Sequence, residues 1–239
     1  MAERDQEHQA VPGSLDFDAF YGGGELVEGL PYAGVPWDIG EPQPAVAELE
    51  RAGHVVGEVL DVGCGLGENA IFLASRGYRV TAVDASPKAI EQAERRAADR
   101  GVDVAFAVAD ATSLAGYEGR FDTVVDSALY HCLDDDARRR YVAALRRVTK
   151  PGARLNIVCF SDRTIAGLGA PMPVSEENLR TTVEGAGWRI VELREEVLLS
   201  ATEAMTAYLD QPGWPSRRGE TDDEGRTRLP AWLLRALRD

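Results

Sequence analysis

The sequence predicts a doubly wound α/β fold, and three observations carry that expectation. The apolar run Glu58-Val59-Leu60-Asp61-Val62 passes directly into Gly63-Cys64-Gly65-Leu66-Gly67-Glu68 and then into an apolar-periodic segment from Asn69 to Arg76. This is the strand, tight turn and helix that open a nucleotide-type pocket. The helices after the first two strands end at Arg76-Gly77 and Arg100-Gly101, each a basic residue followed by the glycine that stops a helix. An acidic residue, Asp84, stands at the tip of the second strand, where its two oxygens can accept both hydroxyls of an adenosine ribose.

The second strand is expected from Tyr78 to Val83, ending at Asp84, and Ser86-Pro87 then starts a helix with a hydroxyl cap and proline at the first helical position. The third strand, Val102 to Val108, runs into Ala109-Asp110-Ala111, where a carboxylate and a neighbouring N–H can address an adenine amino edge. The fourth, Phe121 to Asp126, delivers Ser127-Ala128-Leu129-Tyr130-His131 to the same rim. Asp134 to Lys150 carries one apolar stripe and reads as a helix, with an acidic start and basic end that complement its dipole. The fifth strand is Ala153 to Phe160. Ser161 to Pro173 then reads as a Gly/Pro loop, Val174-Ser175 opens a helix ending near Gly185, and Trp188 to Leu193 alternates as a sixth strand. Gln211 to Arg228 reads as a polar, mobile excursion, and Pro230 to Arg238 is ambiguous between strand and helix.

The glycine spacing bears on the cofactor. Dinucleotide folds use G-x-G-x-x-G/A, with a small third residue where the helix N-terminus faces a pyrophosphate. Here the glycines are 63, 65 and 67, and Glu68 stands where the small residue belongs. A carboxylate in the first helical turn repels a pyrophosphate. The turn suits a phosphate-free ligand carrying a sulfonium and an ammonium, which is S-adenosylmethionine.

The residues Asp61 to Gly67, Val83 to Ser86, Ala109 to Ala111, Phe121 to Asp126 and Lys150 to Leu155 occur in the order used by class I S-adenosylmethionine-dependent methyltransferases, and the chain resembles that family from roughly Val55 to Phe160. Upstream, Pro36-Trp37-Asp38-Ile39-Gly40-Glu41-Pro42-Gln43-Pro44 is similar to a block in thiopurine, thiol and halide methyltransferases and related bacterial small-molecule enzymes. The resemblance implies a Rossmann-like seven-stranded mixed sheet with an antiparallel seventh strand and helices on both faces. It implies an arm and lid over residues 1–54 and a cofactor domain over 55–239. Cofactor contacts are then expected from Trp37, Asp61, Gly63, Cys64, Gly65, Asn69, Asp84, Ala85, Asp110, Ala111 and Ser127.

Trp37 either lies against the sulfonium by cation–π attraction or plugs the core under the arm. The arm, with Phe17, Phe20, Tyr21, Tyr32 and Trp37 around Gly22-Gly23-Gly24, is either a hinged lid over a flat or apolar acceptor or an ordinary packed segment. Tyr21, Tyr32 and Tyr130 are its expected acceptor-side residues. His131 at the rim is the candidate base, with an ordinary pKa near 6.5, and shaping the pocket floor is its alternative role.

The remaining features narrow the partners. A chain of 239 residues with 44% hydrophobic content buries a core without staples. Its three cysteines, Cys64, Cys132 and Cys159, make neither a disulfide framework nor a zinc pattern. A net charge of −14 disfavours nucleic acid, as does Asp126-Ser127-Ala128-Leu129 in place of the turn that base-methylating enzymes carry. There is no apolar run near 18 residues and no leader-like start, so a cytoplasmic enzyme with a small-molecule acceptor and no metal is expected. An NAD(P)-dependent reductase or a non-catalytic cofactor binder are the rival readings.

Overall fold

The computed structural model describes residues 16–25, 32–163, 174–209 and 220–239. Seven strands form one sheet: β1 (Glu58–Val62), β2 (Arg79–Asp84), β3 (Ala105–Val108), β4 (Phe121–Ser127), β5 (Thr149–Phe160), β6 (Trp188–Ser200) and β7 (Thr227–Arg238), in the order β3-β2-β1-β4-β5-β7-β6. β1 to β5 run parallel, and β7 lies antiparallel between β5 and β6. The helices are α1 (Phe17–Tyr21), α2 (Pro44–Arg51), α3 (Glu68–Ser75), α4 (Pro87–Asp99), α5 (Asp135–Val148), α6 (Glu176–Gly185) and α7 (Thr202–Leu209), with a 3₁₀ turn at Tyr130–Cys132. No helix among the described residues is long and apolar enough to cross a membrane.

The helices start where the sequence supplies caps. Ser86 Oγ accepts the Ala89 N–H (3.1 Å), Asp134 accepts that of Ala137 (2.7 Å) and Ser175 accepts that of Asn178 (3.1 Å), each satisfying an orphan donor of a first turn. The strands then sort their side chains by alternation. Leu60, Val124, Leu155, Ile157, Trp232 and Leu234 pack with Tyr141, Leu145 and Leu179 of α5 and α6. Val59, Val125, Val158, Ala231 and Leu233 pack with Val46, Leu49 and Leu73 of α2 and α3. Helices therefore cover both faces, and strands buried on both sides read as continuous apolar runs.

That double burial explains the ambiguity at Pro230 to Arg238. Helical and strand periodicities are indistinguishable in a run as short as the apolar stretch Pro230 to Leu234, and the pairing of β7 on both edges decides for a strand. β6 extends to Ser200, seven residues beyond the expected end at Leu193, because β7 pairs with it along that whole length. β3 is shorter than expected, beginning at Ala105 rather than Val102, at the sheet edge where only β2 pairs with it. Much of the expected loop Ser161 to Pro173 and residues 211–219 of the expected excursion lie outside the described residues. Residues 222–226 form a tight turn closed by Asp222 and Arg226.

Two carboxylates lie inside this sheet. Asp126 accepts from the Tyr141 hydroxyl (2.8 Å) and from the Leu129 and Tyr130 N–H groups (2.9 and 3.3 Å). Asp61 Oδ2 has no partner among the described residues. Burial, with smaller repulsion from Asp126 and Asp84, pushes Asp61 up to about 7, and burial pushes Asp126 up to about 7. A carboxyl whose folded pKa is raised stabilises the fold in its protonated form, and that stability is lost as pH rises from about 4 through 7. Asp61→Asn is therefore predicted to flatten the alkaline decline, gaining about 1–3 kcal/mol more over wild type at pH 8.5 than at pH 5. Denaturant titrations at the two pH values check this, and an equal effect at both would contradict it.

Candidate active site

The carboxyl ends of β1, β2, β4 and β5 meet at one rim. Gly63 and Cys64 N–H both donate to Val83 O (2.8 and 3.0 Å), turning the chain back over β2. Gly65 adopts φ +51, and its N–H donates to Asp84 Oδ2 at 2.9 Å. Asp84 Oδ1 accepts from the Ser86 N–H at 2.9 Å, so one carboxylate joins the turn to the start of α4. Burial raises the Asp84 pKa against these bonds. A Cβ on Gly67 would meet Ala93 Cβ at 3.0 Å and the Phe106 ring at 3.1 Å, and the bare backbone there lets α3 close against α4 and β3.

The arm forms the opposite wall. Asp18 accepts from Ser86 Oγ (2.7 Å) and the Lys88 N–H (3.1 Å), and Gln92 donates to Tyr21 O (2.8 Å), which seats α1 on α4. The Tyr21 hydroxyl accepts from Trp37 Nε1 at 2.9 Å, and Trp37 packs against the rings of Phe17 and Phe20. Pro36 O takes the Ser200 hydroxyl and the Ala201 N–H, both at 2.7 Å. The Gln43 amide accepts from Leu199 N–H (3.0 Å) and donates to Leu199 O (2.9 Å), acting as a strand partner for the end of β6. Asp38 is held by both terminal nitrogens of Arg96.

Between these walls lies a cavity of about 230 Å³. Among the expected residues, Tyr21, Trp37, Gly63, Cys64, Gly65, Asn69, Asp84, Ala85, Ala111, Ser127 and His131 line it. Asp61, Asp110, Tyr32 and Tyr130 do not. Asp61 is buried beneath the turn, Asp110 is exposed and spends its carboxylate on Thr112, and Tyr32 is exposed against Phe20. Tyr130 is a core residue whose hydroxyl bonds Asn178 rather than a part of the lid. The sequence reading missed Gln43 and the acceptor-side wall of Phe160, Leu198, Met205 and Leu229. Gln43 lay inside the Pro36–Pro44 block and Phe160 ends β5 where expected, but Leu198, Met205 and Leu229 sit on the extended end of β6, on α7 and at the start of β7, beyond the expected strand limits.

The charges in the wall correct one expectation and supply a better reason. Glu68 accepts from Arg96 (2.8 Å) and from both terminal nitrogens of Arg100 (2.5 and 2.8 Å), so it is neutralised and cannot repel a pyrophosphate as supposed. Among the described residues lining the cavity, however, Asp38, Glu41, Glu68 and Asp84 are acidic and none is Lys or Arg. A pyrophosphate finds no cationic partner there, whereas a ligand with a sulfonium, an ammonium and ribose hydroxyls finds carboxylate acceptors. The residues present fit S-adenosylmethionine.

His131 is fixed by the end of β5. Its Nδ1 accepts the Phe160 backbone N–H at 3.0 Å and its ring stacks on that of Phe160 at 4.1 Å. Burial, and then the Arg138 guanidinium, hold its pKa at about 3 instead of near 6.5. The preceding Ala128 sits at φ +80, with its N–H on Val158 O. Asp126 bonds the two amides that follow, holding this strained turn at the rim.

Gln43→Ala would leave the buried Leu199 N–H and C=O without partners. A loss of about 2–4 kcal/mol is predicted, together with weaker ligand binding; thermal unfolding with and without S-adenosylhomocysteine measures both.

Comparison with known proteins agrees with this geometry. The methyltransferase domain family matches residues 59–152. The 2-heptyl-1-hydroxyquinolin-4(1H)-one methyltransferase of Mycobacteroides abscessus is 37% identical over 208 residues, covering 85% of this chain and 89% of that protein. A probable thiol methyltransferase of Arabidopsis thaliana is 25% identical over 68% of this chain and 73% of its own. A solved structure described as "Conversion of a Disulfide Bond into a Thioacetal Group during Echinomycin Biosynthesis" superposes with a TM-score of 0.77 at 37% identity, over 93% of this chain and 91% of that one. With identity at that level along most of both chains, and with this strand order and glycine turn, the chain belongs to the class I S-adenosylmethionine-dependent methyltransferases.

Proposed function

We propose that this enzyme methylates a sulfur or oxygen nucleophile on a small, apolar or aromatic molecule. The observation that carries the reading is the lining of one cavity, which combines carboxylates and the glycine turn with the apolar side chains of Phe160, Leu198, Met205 and Leu229. S-adenosylmethionine supplies an electrophilic methyl group on a sulfonium. The chain contributes acceptors for its polar groups, with Asp84 placed for the ribose hydroxyls and the Trp37 indole for the cation. Packing of the acceptor against the apolar wall then aligns nucleophile and methyl carbon and excludes water, which is most of what a direct displacement requires. The arm over the cavity acts as the lid.

The relatives support the acceptor class. One acts on a flat heteroaromatic ring bearing an N-hydroxyl and a heptyl chain, one is a probable thiol methyltransferase, and one structure concerns conversion of a disulfide into a thioacetal. The cation-free wall supports a partner other than nucleic acid and disfavours a dinucleotide-dependent reductase.

Calorimetric titration with S-adenosylhomocysteine and, separately, NADPH tests the cofactor half. Micromolar binding of the first alone is expected. Asp84→Asn, which keeps the shape but loses the charge, is expected to bind it about 10–100-fold more weakly. NADPH binding in its place would contradict the reading.

A further inference from the structure

Among the described residues lining the cavity, His131 is the only imidazole, and its chemistry is set by one hydrogen bond. A backbone amide can only donate, so the 3.0 Å contact from Phe160 N–H makes Nδ1 the unprotonated nitrogen and leaves the ring proton on Nε2. The stack on Phe160, with planes 11° apart, fixes the ring. A second proton would have to displace the Phe160 N–H and would bring an imidazolium close to Arg138, which lies on α5 and donates to Tyr130 O at 3.3 Å. The other titratable groups toward this rim are no better as bases. Burial, then Asp126, pushes the Cys132 thiol up to about 12, and the Tyr21 hydroxyl already accepts from Trp37. Asp38, Glu41 and Glu68 are paired with arginines on the side of the Pro36–Gln43 segment and the glycine turn. Asp84 is held by two backbone amides there.

We propose, resting on the methyl-transfer reading above, that His131 is a fixed hydrogen-bond donor to the acceptor and not its base. The enzyme therefore takes acceptors whose nucleophile ionises in solution: arenethiols, N-hydroxy heteroaromatics and acidic phenols. The acceptor's proton leaves to solvent before transfer. The anion then forms a bond to the methyl carbon as the carbon–sulfur bond breaks, and the bonding pair stays on sulfur as a neutral thioether. Through Nε2–H, His131 holds the anion or a carbonyl conjugated with it, and gains or loses no proton.

The test is a rate series with phenol, 4-nitrophenol and thiophenol at saturating S-adenosylmethionine from pH 6 to 9. The expected result is that at pH 7 4-nitrophenol, about three pKa units more acidic, exceeds phenol in kcat/KM by about 100-fold. Phenol should gain about tenfold per pH unit, without an enzyme inflection between about 6 and 7.5. His131→Leu is expected to raise KM for the anionic acceptors at least about tenfold with the pH slope unchanged, and His131→Gln, which restores a donor, to recover most of that loss. Phenol reacting as fast as 4-nitrophenol at pH 7, or an inflection near 6.5 that disappears in His131→Gln, overturns the proposal. If the leucine variant no longer binds S-adenosylhomocysteine, the wild-type series still decides. Failure of all three acceptors with a protein that binds S-adenosylhomocysteine overturns the reading of a sulfur or oxygen nucleophile on an aromatic acceptor, and the inference with it.

Discussion

The site depends on the backbone having no side chain at Gly65. A Cβ there would lie 2.8 Å from the Tyr21 hydroxyl, and the residue holds φ +51. Because the position is bare, its N–H can turn onto Asp84 while the arm comes down on the other side, with Tyr21 and Trp37 joined above the turn. The turn is thus the floor of the cavity and the seat of the arm at once. The strap from Pro36 to Gln43 reaches its place over the cavity only because Leu199 and Ala201, at and just beyond the end of β6, accept it as an extra strand-like partner.

Charge is organised in layers around that turn. Carboxylates face the cavity and arginines stand behind three of them, Asp38, Glu41 and Glu68, while Asp84 is held by backbone amides. Beneath it, Asp61 and Asp126 are buried and held near neutrality by desolvation. Asp126 uses its oxygens on the amides of the rim turn and on Tyr141, which holds the turn carrying Ala128, Leu129 and His131 at the cavity. The pocket chemistry and the stability of the sheet are therefore coupled through the ends of β1 and β4.

The parts of this arrangement legible in the sequence were those written locally. The turn Gly63–Gly67, the acid ending β2 and the Ser86-Pro87 cap each announce their geometry within a few residues. What escaped was set by distant pairing. β6 and β7 are long because they pair with each other, so Leu198 and Leu229, which they bring to the cavity, fell outside the expected strand limits. Tyr130 looked like a rim residue from its neighbours, but the 3₁₀ turn rotates it into the core and His131 toward the cavity. His131 carries no sequence mark of its partner, since that partner is a backbone amide on another strand. Glu68 was visible, but its arginines, about 30 residues away on α4 and at its C-cap, were not read with it.

The central claim is that a bare residue 65 makes the cofactor seat. The most direct measurement is the calorimetric affinity of Gly65→Ala for S-adenosylhomocysteine, alongside circular dichroism to establish that the sheet is intact. A left-handed alanine costs about 1–2 kcal/mol before any clash, and its methyl group would collide with Tyr21 Oη. The account predicts a folded protein that binds at least about 100-fold more weakly than wild type. A folded variant with affinity within about threefold of wild type would contradict it.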